Sequence, residues 1–129
     1  MFWAARLQET IVRAVDEVLK ADFKLADGLA DISRVVVDWD TGKNDQQGSH
    51  GTQTRQVHCV QVLDPATGTG TFLAEVVKLI AERVEENAPG QWSEYVENEI
   101  IPRIHGFELL VASYAMCHIK LDMVLTELG

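Results

Sequence analysis

The chain has 129 residues, 47% hydrophobic and 24% charged, a balance that suits one folded domain with a single modest core and excludes a disordered segment. Eleven Lys and Arg against twenty Asp and Glu leave a net charge of −9 at pH 7, and no Lys/Arg cluster occurs along the chain. Strong DNA binding by this chain alone, or adhesion to an anionic membrane, is therefore disfavoured. No apolar run approaches the ~20 residues of a membrane span. The start, Met1-Phe2-Trp3-Ala4-Ala5-Arg6, lacks the layout of a secretory signal. A cytoplasmic protein with Cys59 and Cys117 as reduced thiols is the expectation.

In chain order, Trp3, Leu7, Ile11, Val15 and Val18-Leu19 recur at helical spacing, with Arg13, Asp16, Glu17 and Lys20 on the other side. This predicts an amphipathic helix over residues 3–21. Val35 to Trp39, β-branched and aromatic, predicts a strand. Residues 40–54 are almost wholly polar and glycine-containing, so they read as a solvated loop. The run Val57 to Leu63 predicts a second strand that pairs with the first or joins a larger sheet. Leu73, Val76, Val77, Ile80 and Val84 predict a helix that stops before Pro89-Gly90, with Glu82, Arg83, Glu85 and Glu86 outward. Trp92, Tyr95 and Val96 suggest a short helix, 104–108 a short strand, and Leu110, Tyr114, Cys117, Leu121 and Val124-Leu125 a last helix. From residue 57 on, the order is strand, glycine-rich bend, helix, connection, strand, helix. Two strands joined through a helix are normally parallel, which makes this half of a doubly wound α/β sheet.

The bend Asp64-Pro65-Ala66-Thr67-Gly68-Thr69-Gly70 follows a strand and opens a helix. Gly68 and Gly70 let the backbone turn and let a ligand approach the main chain, while the helix N-terminus presents N–H groups to the crevice. Position 73 is Leu, so G-x-G-x-x-G is not met, and no Lys follows a glycine as a phosphate loop requires. Asp64 in front of the bend disfavours phosphate and favours a cationic group or hydroxyl donors. Glu108 ends the next strand, where an acid commonly accepts from a ribose diol.

The segment Asp64 to Phe72 resembles the first motif of adenine-specific DNA methyltransferases, [D/N]-P-x-x-G-x-G-x-F. Together with Gly106-Phe107-Glu108-Leu109-Leu110-x-Ala112-x-Tyr114-Ala115-x-x-His118-x-Lys120-Leu121 it is similar to the methyltransferase region of large single-chain restriction–modification enzymes. The resemblance extends over about residues 10–129. It implies an α/β chain, a partial Rossmann-like methyltransferase fold with a few strands, an N-terminal helix and flanking helices. It also implies S-adenosylmethionine as the cofactor. Asp64, Pro65, Ala66, Thr67, Gly68 and Gly70 would form the loop around its methionine part. Phe72 would pack under the loop, Glu108 would hold the ribose hydroxyls and Leu109 would lie against the adenine. The two carboxylates are thus expected to flank one shared cavity. Residues 1–129 would form one partial domain, with a helix and strand/loop part (1–56) and a cofactor-binding β-α-β-α half (57–129).

Two features depart from the family. The Thr-Pro-x-Pro-Val-Val segment ahead of its first helix is replaced by Gln8-Glu9-Thr10-Ile11-Val12. The catalytic [N/D]-P-P-[F/Y/W] motif is missing, since Pro65, Pro89 and Pro102 are the three prolines and none adjoins another. The expectation is a fragment that carries part of the cofactor site and does not methylate DNA by itself, reaching DNA only through parts of a parent protein. The alternative is a non-catalytic interaction protein or gene remnant that has kept the fold but not the ligand; a nucleotide-dependent oxidoreductase is disfavoured by the absent third glycine. No catalytic residue and no metal site is assigned, because His58/Cys59 and Cys117/His118 lie on different elements and suit buried thiols and helix-face imidazoles better. Trp3, Trp39 and Trp92 are expected as core or interface anchors. Exposed sheet edge and apolar helix faces would favour self-association of such a fragment.

Overall fold

A computed structural model of the chain describes residues 2–44 and 50–129, with the side chains of 2–5, 44 and 50 outside that description, so the expectation for Trp3 lies outside the described residues. Helix α1 spans Phe2–Ala21. Its buried face is not the one the apolar spacing selects. Leu7, Ile11, Val15 and Val18 are 41–60% exposed, whereas Val12 and Asp16 are buried. Asp16, expected on the outer side, is turned inward because three donors meet it there. The Leu29 N–H donates to it at 2.8 Å, Lys20 pairs with it at 2.8 Å, and Arg83 of a later helix forms a close ion pair. A satisfied carboxylate costs little to bury, and this one sets the rotation of the helix. Arg83, expected outward, accordingly faces α1.

A 3₁₀ turn, Gly28–Ala30, leads to strands β1 (Arg34–Asn44) and β2 (His50–His58), which pair antiparallel from Arg34↔His58 through Trp39↔Gln53 to Asp40↔Thr52. The expected loop at 40–54 is thus corrected: residues 40–44 and 50–54 are strand, and 45–49 lie outside the described residues. The polar composition has a physical reason. Of the described side chains in the two strands, His58 alone is buried, so neither face needs the alternating apolar residues that mark a half-buried strand. Trp39 is 51% exposed on this ribbon.

The apolar run 57–63 divides. Its start belongs to β2, Cys59–Gln61 is a break in which Val60 enters the core, and its end is β3 (Val62–Asp64). Strand β3 pairs in parallel with β4 (Ile104–Gly106), in the register Val62↔Ile104 to Asp64↔Gly106, as two strands with a helical connection should. The intended strand over 104–108 is shorter by two residues. Between them run α2 (Thr71–Asn87), the four-residue α3 (Trp92–Tyr95) and a π turn (Val96–Ile100); α4 (Val111–Leu128) follows β4.

Helix α2 is the centre of the core. Ala74, Val77 and Ile80 are at most 2% exposed, and α2 packs against α1, α4 and the 3₁₀ turn, with Val60, Trp92 and Val124 closing the cluster. On α4, Cys117 and Val124 are buried and Leu121 and Leu125 half-buried, but Leu110 and Tyr114 of the expected stripe are exposed. The chain is therefore mixed α/β, with two small two-stranded sheets and four helices among the described residues. None of those helices is long and apolar enough to cross a membrane.

One buried cation ties the connection to the rest. Arg103 is 0% exposed. Its guanidinium donates to the carbonyls of Glu99 at 2.6 Å, Leu29 at 2.8 Å and Asp31 at 3.0 Å, and to the Tyr95 hydroxyl at 2.9 Å. Beside it, Glu99 accepts from Arg34 at 3.0 Å and faces the imidazole of His58 at 2.5 Å, which fastens the base of the hairpin to the π turn.

Candidate functional site

Asp64 is the last residue of β3, and the chain turns through 65–70 into α2. The bend is sewn to the segment beyond β4: the Phe107 N–H donates to the Asp64 carbonyl and the Thr67 N–H to the Phe107 carbonyl, both at 2.9 Å. Within the bend, the Ala66 N–H donates to the Asp64 side chain at 3.1 Å and the Thr67 hydroxyl to the Asp64 carbonyl at 3.1 Å. Thr67 is buried, while Pro65 and Ala66 are exposed.

The two glycines serve different needs. Gly70 has φ +79°, and a Cβ there would lie 2.6 Å from the Cys117 Sγ, so it allows α4 to pack on the start of α2. Gly68 has φ +57°, and a Cβ there would meet nothing within 4 Å. Its open side is a space that a ligand can occupy. No side chain caps α2, so the first-turn N–H groups and the positive end of the helix dipole are directed at the same region.

Glu108, 44 positions from Asp64, is brought onto the bend by the parallel pairing of β3 and β4. One carboxylate oxygen accepts the Gly68 N–H at 2.7 Å and the other accepts the Leu110 N–H at 2.8 Å. The Leu110 and Gly68 N–H groups hold this carboxyl below its ordinary 4.5. An ionised carboxylate offers about four lone-pair sites, so roughly two are left for a ligand.

The acids do not enclose one cavity. Asp64, with Pro65 and Phe72, borders an apolar cavity of about 470 Å³ walled by Ile11, Val15 and Leu19 of α1. Glu108 borders a separate cavity of about 160 Å³ between β4 and α4, beside Thr67, Tyr114 and Cys117. Phe72 does lie beside the bend, 38% exposed, and Leu109 is 94% exposed with no facing wall.

Among the described residues no three His, Cys, Asp or Glu side chains gather as metal ligands. Cys59 is exposed, contrary to the expectation of two buried thiols; Cys117 is buried, and burial together with nearby Asp64 pushes its thiol up. His118 on α4 stands edge-on to Tyr114 at 4.3 Å. Arg103 and Glu99 carry no signal in the sequence, and Asp16 reads there only as part of a solvated helix face. A buried ion looks like any other charged letter, and only its conversation with distant carbonyls sets it apart.

No protein-family model matches the chain, and neither does any curated protein. Its fold is similar to part of a solved structure, a nuclease-deletion mutant of the Type ISP restriction-modification enzyme LlaGI in complex with a DNA substrate mimic. The TM-score is 0.61 and the identity 23%, over 94% of this chain and 7% of that one. The likeness is one of fold, and the chain spans a small piece of that enzyme's length.

Proposed function

We propose that this chain is the S-adenosylmethionine-binding segment of an adenine-specific DNA methyltransferase in a restriction–modification system, a partial Rossmann-like unit that is inactive alone. The contact between Glu108 and the Gly68 N–H at 2.7 Å carries the reading, because it sets against the glycine bend, across 40 residues of sequence, an acid suited to accept from a ribose. The open side of Gly68 fits a ligand's close approach, and the two carboxylate acceptors, Asp64 and Glu108, fit a sulfonium nucleoside better than a diphosphate. The fold likeness to part of a restriction-modification enzyme supports the same system. When bound, the cofactor supplies an electrophilic methyl group. This chain's own residues bind and orient: Asp64, Pro65, Ala66 and Thr67 shape the bend, Gly68 admits the methionine part while Gly70 lets the bend close against α4, Glu108 accepts from the ribose, and Phe72 and Leu109 supply apolar contact. Tight binding of the duplex DNA target falls to other parts of the parent protein. Exposed Leu7, Leu63 and Val111 favour self-association of the piece.

Calorimetry with S-adenosylmethionine, S-adenosylhomocysteine and NAD tests the reading. Heat with the first two alone is expected. Gly68→Asn tolerates the left-handed backbone and directs a side chain into the open space, so it is expected to leave the melting temperature within a few degrees and to weaken the cofactor about tenfold or more. Glu108→Ala is expected to weaken it by a similar factor. Because Glu108 is held below 4.5, its contribution should stay level as pH falls from 8 to 5 and decline only below its depressed value. The alternative, an interaction protein without ligand, draws on the separate cavities of Asp64 and Glu108 and on the uncovered Leu109; no heat with any of the three compounds would favour it.

A further inference from the structure

The β1–β2 hairpin has two unlike faces. Asp38 and Asp40 stand in register with Thr54 and Thr52 on one. On the other, Trp39, Thr41 and Lys43 of β1 and Gln53 and Arg55 of β2, with Gly51 and Thr52 at the border, line an open space of about 570 Å³. The ladder shifts between Asp40 and Asn44, so that residues 41–43 oppose Gly51 alone, and this irregularity curls the strand around the hollow. The Arg55 guanidinium lies 5.3 Å from the Trp39 ring centroid. In a chain of net charge −9, no acid among the described residues lines this hollow, and among those residues neither Lys43 nor Arg55 is ion-paired. Two cations twelve positions apart are brought together by antiparallel pairing, which no scan for a basic cluster would find.

We propose that this hollow binds a nucleotide unit of a single-stranded nucleic acid. The half-exposed Trp39 ring takes an unpaired base, the Arg55 guanidinium leaves its place over the ring to join Lys43 on the flanking phosphates, and the Gln53 amide meets the base edge. Stacking on a side chain needs a base whose face is free, which favours a single strand over a duplex. A ribbon of two strands is marginal by itself in water, and a ligand across its face would stiffen it. The inference stands on the hairpin alone and does not depend on the glycine bend.

The test is fluorescence anisotropy of the full chain with a labelled ten-nucleotide single strand at low salt. Binding is expected with a Kd on the order of 10⁻⁵ to 10⁻⁴ M, falling with salt at a log–log slope of about −1.4 for two phosphates. Trp39→Leu and Arg55→Gln should each weaken it about tenfold, whereas Gln56→Ala, on the opposite face, should not. Circular dichroism confirms that each variant keeps its strands; should Trp39→Leu lose them, Arg55→Gln decides. Absence of binding at low salt, equal affinity for the duplex, or equal competition by polyglutamate would overturn the proposal. Competition by a free mononucleotide as strong as by the strand would overturn the strand as occupant. Cofactor calorimetry on the same variants should be unchanged, so failure here and failure at the bend remain distinguishable.

Discussion

Arg103→Met should destabilise the chain by about 4 kcal/mol, read as a lower urea midpoint at unchanged slope. The guanidinium is fully buried and makes four hydrogen bonds, three of them to main-chain carbonyls from two separate segments. Methionine fills most of the volume but leaves those carbonyls without a donor, and each unsatisfied buried group costs about 1–3 kcal/mol. The Tyr95 hydroxyl keeps a partner, since it donates to the Ala30 carbonyl at 3.0 Å, and partial relaxation around the three carbonyls holds the total toward the lower end of their sum. Burial pushes the Arg103 guanidinium below its ordinary value, while neighbouring Tyr95 and Glu99 hold it up. Arg103→Lys should recover only a part, because three donors on one nitrogen do not span the same carbonyls. A loss below about 1 kcal/mol for the methionine variant would mean that the tie is not structural.

Asp16→Ala is expected to cost about 3 kcal/mol, because it leaves Arg83 and Lys20 without their shared carboxylate and the Leu29 N–H without an acceptor. Partial solvent access to both cations keeps the figure from rising further. Burial pushes the Asp16 carboxyl up, but hydrogen bonds from Lys20, the Leu29 N–H and Arg83 outweigh it and hold it below its ordinary 3.8. For a carboxyl so depressed, the stabilisation is complete above the unfolded value and is lost as pH falls through the folded one. Acid titration of the unfolding free energy should therefore show a fall below pH 3.8 in the natural chain that is smaller in Asp16→Asn. An identical acid profile in the two would refute the role given to Asp16.

The bend and its acid were readable because their chemistry is local. A strand, a glycine turn and a helix follow one another without interruption, and the turn requires positive φ at Gly68 and Gly70. Glu108 was expected as the end of a strand but lies two residues beyond β4, and the parallel pairing still brings it to Gly68. The base of the hairpin was readable, with a strand over 35–39 and a partner starting at Val57, but its outer part was not. Period-two alternation appears only when one face meets a core, and residues such as Thr41, Thr52 and Gln53 sit in a ribbon solvated on both sides. Helix α1 was found, with its apolar stripe, but not its orientation: Ile11 and Val15 border an open apolar cavity, while the ion pairs of Asp16 turn the other face inward.

From residue order alone come the helices, the parallel pair and the acid-flanked glycine turn, since each depends on the spacing of neighbours along the backbone and on which dihedral angles a residue tolerates. Folding in three dimensions settled which charges are buried, that Asp64 and Glu108 border different cavities, and that Lys43 and Arg55 share a hollow with Trp39. Those outcomes depend on contacts between segments far apart in the chain, where desolvation and hydrogen-bond satisfaction are decided by the partner that arrives rather than by the residue itself.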